Sequence, residues 1–104
     1  VLLTIAGPRY FNSIERSKDV TLRQDLNIMR DAIDKFQGDT GALPETLADL
    51  VTKKYLRAIP VDPITESAAT WQIVPPTDPT KTGVQDVKSG APGQSADGSS
   101  YGEW

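Results

Sequence analysis

From Arg9 to Gln37 the chain contains neither Gly nor Pro, and helix formers dominate. Within that run Leu22, Leu26, Met29, Ile33 and Phe36 step by four, three, four and three residues. This spacing draws one apolar stripe down a helix, because residues three and four apart share a face. Asp19/Arg23, Arg30/Asp34 and Asp31/Lys35 are opposite charges at i,i+4 on the remaining surface. Gly38 is the expected C′ residue that stops the helix. The two halves differ. Between Asn12 and Thr21 the apolar residues thin to Ile14 and Val20, amid Glu15, Arg16, Lys18 and Asp19. A helix that is polar nearly all round is not packed on its own domain there. The expected division is therefore a protruding half over 1–21 and a globular domain over 22–104, which the second half of the helix meets.

Shorter elements follow. Pro44 to Val51 reads as a second helix, with Pro in its first turn, acids near its start and Lys53 and Lys54 at its end. Tyr55 to Pro60 leads to Asp62-Pro63, a rigid extended or turn segment. Thr70 to Val74 is rich in β-formers and predicts a strand that Pro75, Pro76 and Pro79 end. Gly83 to Lys88 predicts a second strand, with Val84 and Val87 on opposite faces. Ser89 to Gly102 has the Gly, Ser, Ala, Pro and Asp composition of a flexible tail. A tail that ends in Tyr101-Gly102-Glu103-Trp104 is unusual, because terminal aromatics are wasted unless they dock. The fold class is α+β: a long helix packed on a small antiparallel sheet, with a short second helix.

Composition narrows the chemistry. At 104 residues and 38% apolar content the chain builds one small domain with a modest core. A net charge of −3 and the lack of any Lys/Arg-rich run argue against nucleic-acid binding. With neither Cys nor His, the usual zinc, haem, thiol and imidazole chemistries have no ligands. Carboxylate pairs such as Asp62 with Glu66, or Asp86 with Asp97, lie in Pro/Gly-rich loops with no third group to orient them. Asp62 before Pro63 reads as a turn former. No enzyme is expected.

The first residues, Val1-Leu2-Leu3-Thr4-Ile5-Ala6, are almost wholly apolar and run into Gly7-Pro8. Six residues cannot cross a bilayer, which needs about 20. They read either as a short buried element or as the end of a longer hydrophobic helix. Leu2, Leu3, Ile5, Tyr10, Phe11 and Ile14 have no evident place in the small domain, and exposed apolar surface of this kind marks an interaction site.

In this order the features resemble the major pseudopilins of type II secretion systems, within the type IV pilin-like superfamily. Leu2 to Pro8 followed by Tyr10-Phe11 resembles the family's exit from the membrane, and Asp25 to Phe36 its helix. Gln37 to Pro44 is similar to its D-x-G-x-Y/L-P turn, and Glu45 to Leu50 to the short helix after it. Tyr55-Leu56-Arg57-Ala58-Ile59-Pro60-Val61-Asp62-Pro63 resembles Y-L-x-x-L/I-P-x-D-P, the most specific stretch. Ser89 to Gln94 resembles the S-x-G-A-D-G-x loop, and Gly102-Glu103-Trp104 the G-N-W ending.

The resemblance implies a pilin-like fold and a filament subunit of the periplasmic pseudopilus. It implies an upstream stretch of about a dozen more apolar residues that completes a membrane span. It places the protein at the bacterial inner membrane with this domain in the periplasm. Minor pseudopilins and an inner-membrane assembly platform are the implied partners. Leu2, Leu3, Ile5, Tyr10, Phe11 and Ile14 would then form the oligomer interface. Family members also bind calcium in the C-terminal loop. Here Pro92 replaces the Asp of the G-A-D-G loop, and Gly98-Ser99-Ser100 replace an acidic run. Asp86, Asp97, Ser99 and Ser100 are the oxygen donors left for calcium, a thin set for an ion that takes six to eight oxygens. The alternatives are a type IV pilin of a surface fibre, which generally carries a C-terminal disulfide loop, and a coiled-coil protein that recruits a partner through Asn12 to Phe36.

Overall fold

In the computed structural model, α1 runs unbroken over Leu2–Thr40, 39 residues. The structure describes residues 2–95 and 97–104, with side chains from Arg16 onward. At 1.5 Å per residue α1 is about 58 Å long, and the molecule measures 61 × 26 × 20 Å, so this helix sets its length. Leu22, Leu26, Met29 and Ile33 are almost fully buried, and Ala32 joins them. Full burial of each large side chain is worth about 1.5–3 kcal/mol. Phe36 is half-buried and meets the Tyr55 ring edge-on, centroids 5.4 Å apart. Leu22 is the first buried residue among those described; Arg16, Ser17, Val20 and Thr21 before it are exposed.

Gly38 does not stop the helix. It stays helical, and α1 ends two residues later at Thr40. The reason is local capping. Gly41 takes φ +75°, the left-handed conformation of a C′ residue. Its N–H donates to the Gln37 carbonyl at 2.8 Å, while the Thr40 hydroxyl donates to the Phe36 carbonyl at 2.8 Å. Thr40 and Gly41 thus supply donors to the Phe36 and Gln37 carbonyls in the last turn.

The second helix, α2, is shorter than expected and spans Leu47–Thr52. Thr46 is its N-cap and accepts from the Asp49 N–H at 3.3 Å, while the Asp49 carboxylate accepts from the Glu45 N–H at 3.0 Å. Pro44 lies ahead of the helix, buried, with its carbonyl accepting from the Val84 N–H at 2.8 Å. That tie is why the helix cannot begin at Pro44. Leu47 and Leu50 add to the core under α1.

β1 (Gln72–Val74) and β2 (Asp86–Lys88) pair antiparallel, with Gln72 opposite Lys88 and Val74 opposite Asp86. Two strands of three residues are not stable alone; α1 packs against β2 and supplies the missing layer. Val84 and Val87 do not alternate between faces, and both are fully buried. Val84 precedes the strand, in the turn tied to Pro44, so the two-residue period does not apply to it. Trp71 is buried just before β1, its indole N–H donating to the Pro60 carbonyl at 2.8 Å.

The C-terminal stretch is folded, not a loose tail. Ser89, Ala91, Ser95 and Tyr101 are buried, and Tyr101–Glu103 makes a short 3-10 turn. Its aromatics dock, which overrides the flexible composition. The architecture is α+β, a long helix, a short helix and a two-stranded antiparallel sheet around one core.

Candidate functional site

Two regions carry the functional expectations. The side chains of Leu2, Leu3, Ile5, Tyr10, Phe11 and Ile14 lie outside the described residues. The C-terminal segment with Asp86, Asp97, Ser99 and Ser100 is described, and lies against α1 between Asp19 and Arg30.

Asp97 anchors a tight loop. Its Oδ1 accepts from the Ser95 hydroxyl, from the Ser99 hydroxyl at 2.5 Å and from the Ser99 N–H at 2.9 Å. Its Oδ2 faces Arg23 Nη2 at 3.3 Å. The serine hydroxyls, more than the Ser99 N–H or Arg23, hold this carboxyl well below the usual carboxylate range. Ser100 stands before the 3-10 turn as its N-cap, without a side-chain capping bond. Asp86 sits on β2, and its Oδ1 accepts from Arg30 Nε at 2.8 Å and from the Val87 N–H at 2.8 Å. Asp97 and Ser99 are thus brought together; Asp86 belongs to a different cluster around Arg30.

Asp86, Asp97, Ser99 and Ser100 do not form one oxygen cluster. Both carboxylates are engaged by guanidinium groups, and the Ser95 and Ser99 hydroxyls are turned into Asp97 rather than towards a common centre. Among the described residues no three acidic side chains converge. Calcium needs several anionic oxygens free to coordinate it.

The other carboxylate pair separates in the same way. Asp62 is fully buried, and its Oδ1 accepts from the Ile64 N–H at 2.8 Å and the Thr65 N–H at 3.3 Å, the pattern of an Asx turn. Its Oδ2 accepts from the buried Ser89 hydroxyl at 2.5 Å. Glu66 is exposed on the same turn with φ +59°. Asp62 is therefore a rivet between the Asp62–Ser67 turn and the C-terminal segment.

Arg23 and Arg30 are the residues that sequence reasoning misplaced. Their i,i+4 neighbours Asp19 and Asp34 suggested pairs along the helix, yet Arg23 reaches Asp97 and Arg30 reaches Asp86. Asp19 receives the Tyr101 hydroxyl at 2.7 Å instead. Trp104 completes the junction. Its ring lies 3.8 Å from the Arg23 guanidinium and 5.1 Å from the Tyr101 ring, and its indole N–H donates to Ser99 Oγ at 2.7 Å. A cleft of about 240 Å³ opens beside it, between Arg16, Val20 and Asp97.

No protein-family model, no curated protein and no solved structure matches this chain.

Proposed function

We propose that this chain is a structural subunit, not an enzyme, that polymerises through the N-terminal part of α1 into a pseudopilus-like filament that drives protein secretion. The reading places the protein at the bacterial inner membrane, with this domain in the periplasm. Minor pseudopilins and an assembly platform are its partners there. It adopts the resemblance given by Leu2 to Pro8, Tyr55 to Pro63 and Gly102 to Trp104. The observation that carries it is how α1 is used. The helix extends over Leu2–Thr40, but its buried stripe begins at Leu22, and Arg16, Ser17, Val20 and Thr21 lie open. The domain closes its core with the second half of the helix; of residues 16–21, Asp19 meets the domain through the Tyr101 hydroxyl, while Arg16, Ser17, Val20 and Thr21 stay exposed. Contacts that pass from subunit to subunit without closing generate helical filaments, and a shared long helix is suited to them. Among the described residues no helix is long and apolar enough to cross a membrane; the reading assigns the membrane span to apolar sequence upstream of Leu2.

The experiment is a comparison of assembly and folding. Leu3→Asp, Ile5→Asp and Phe11→Asp in the full natural protein should abolish filaments seen by electron microscopy and block secretion. The domain's thermal unfolding should stay within about 2 °C of the unaltered chain, since the buried residues from Leu22 onward are left as they are. Filaments that form normally with all three substitutions would refute the assignment.

A further inference from the structure

The ground between α1 and the C-terminal segment is held by two positive charges that belong to the chain itself. Arg23 and Arg30 are seven residues apart, two helical turns, so both project from one face of α1. Arg30 makes three bonds into the segment: Nε to Asp86 Oδ1 at 2.8 Å, and Nη2 to the Val87 carbonyl at 3.0 Å and to the Trp104 main-chain oxygen at 2.8 Å. Arg23 stands with its guanidinium over the Trp104 ring and its Nη2 towards Asp97. We propose that this guanidinium clamp, in place of a divalent cation, fixes the C-terminal segment on α1, so that the domain folds and stays folded without calcium.

The chemistry supports the exchange. A guanidinium stays charged at any physiological pH, and its planar fork serves two acceptors at once. It therefore gives Asp86 and the Trp104 main-chain oxygen what a metal would give them, a fixed positive partner. The same charge works against a metal. A calcium ion at Asp97 would sit beside Arg23 and would compete with that arginine and with the Ser95 and Ser99 hydroxyls for the carboxylate oxygens. The two arginines contribute unequally. The Arg23 and Asp97 side chains are 53% and 59% exposed, so their ion pair by itself adds little. Arg23 acts mainly through its stacking on Trp104. Arg30, 29% exposed, carries most of the clamp. None of this depends on whether the protein forms filaments.

The test uses the unaltered chain, with EDTA or with millimolar CaCl2, followed by thermal unfolding and by the NMR resonance of the Trp104 indole N–H. The midpoint should agree within about 2 °C in the two solutions, whereas a site filled to about 100 times its Kd would raise it by roughly 10 °C or more. Arg30→Gln should lower the midpoint by roughly 5 °C or more in both solutions and shift the Trp104 resonance. Arg23→Gln should shift that resonance with a smaller loss of stability. A calcium-dependent rise in the midpoint, or a saturable shift of the indole resonance on adding CaCl2, would overturn the proposal. So would arginine variants that leave both the midpoint and the resonance unchanged. The calcium comparison needs no variant, so it decides even if Arg30→Gln does not fold.

Discussion

Gly83 adopts φ +116°, and a Cβ added there would lie 2.6 Å from the Pro44 carbonyl oxygen, the atom that accepts from the Val84 N–H. An alanine would meet both a strained backbone and a backbone clash that cannot rotate away. Gly83→Ala should therefore cost about 2–4 kcal/mol, read as a lower urea midpoint. Gly38 is the opposite case: it is helical, and nothing lies within 4 Å of its Cβ position. Gly38→Ala should stabilise the chain by about 0.5–1 kcal/mol. A gain at Gly83 or a loss at Gly38 would contradict the backbone described here. Asp25 supplies a pH-dependent case. Its carboxyl is pushed above its ordinary value, chiefly by burial and then by the neighbouring Asp62. A carboxyl with a higher pKa folded than unfolded binds its proton more tightly in the folded state. The resulting stability is fully present below the unfolded value of about 3.9 and is lost as pH rises through the folded value. Asp25→Asn removes the charge at every pH. It should raise the urea midpoint at pH 7, with the gain shrinking towards pH 3; a drop at pH 7 would reveal a favourable partner for the carboxylate.

At the scale of elements, α1 was legible because its period repeats. The Leu22, Leu26, Met29, Ile33 sequence names one face, and that face is buried. Its end was not legible, since Gly38 and Gly41 both offer a stop and the choice falls to the Thr40 hydroxyl and the Gly41 backbone. The start of α2 was missed for a similar reason, because a buried Pro44 carbonyl pairs with Val84, far along the chain. The strands were found but drawn too long, as three residues carry too little alternation to fix a boundary. At the candidate site the sequence offers Asp86 and Asp97 as carboxylates but does not show that Arg30 and Arg23 are their partners. A helical wheel tells which way Arg23 and Arg30 point, not which distant segment will cover them. The α2 cap can be tested directly. Thr46→Ala should cost about 1 kcal/mol, while Thr46→Asn should be nearly neutral, because either side-chain oxygen can accept from the Asp49 N–H. Equal losses for the two would mean that the methyl of Thr46, not its oxygen, matters.

For the molecule as a whole, the question is whether α1 serves two separable purposes. The apolar stripe Leu22 to Ile33 is consumed within the subunit. What remains exposed and large on the described helix is Val20 and Ile28, eight residues apart and at 54% and 51% exposure. A coiled coil needs an apolar seam that recurs about every 3.5 residues, and two isolated residues do not supply one. The described half of α1 therefore gives no basis for a coiled-coil dimer, and the proposed filament assigns assembly to the part before it. Deleting residues 1–15 leaves every buried residue among those described in place, from Leu22 onward. The shortened chain should unfold within about 3 °C of the 104-residue chain, which corresponds to a change of under about 0.5 kcal/mol. In sedimentation velocity it should run as a monomer with a coefficient that does not change with concentration. The natural protein carrying the same deletion should lose all filaments. A concentration-dependent dimer from the shortened chain would transfer the assembly surface to Val20, Ile28 and the domain, and a large loss of stability would show that residues 1–15 belong to the core.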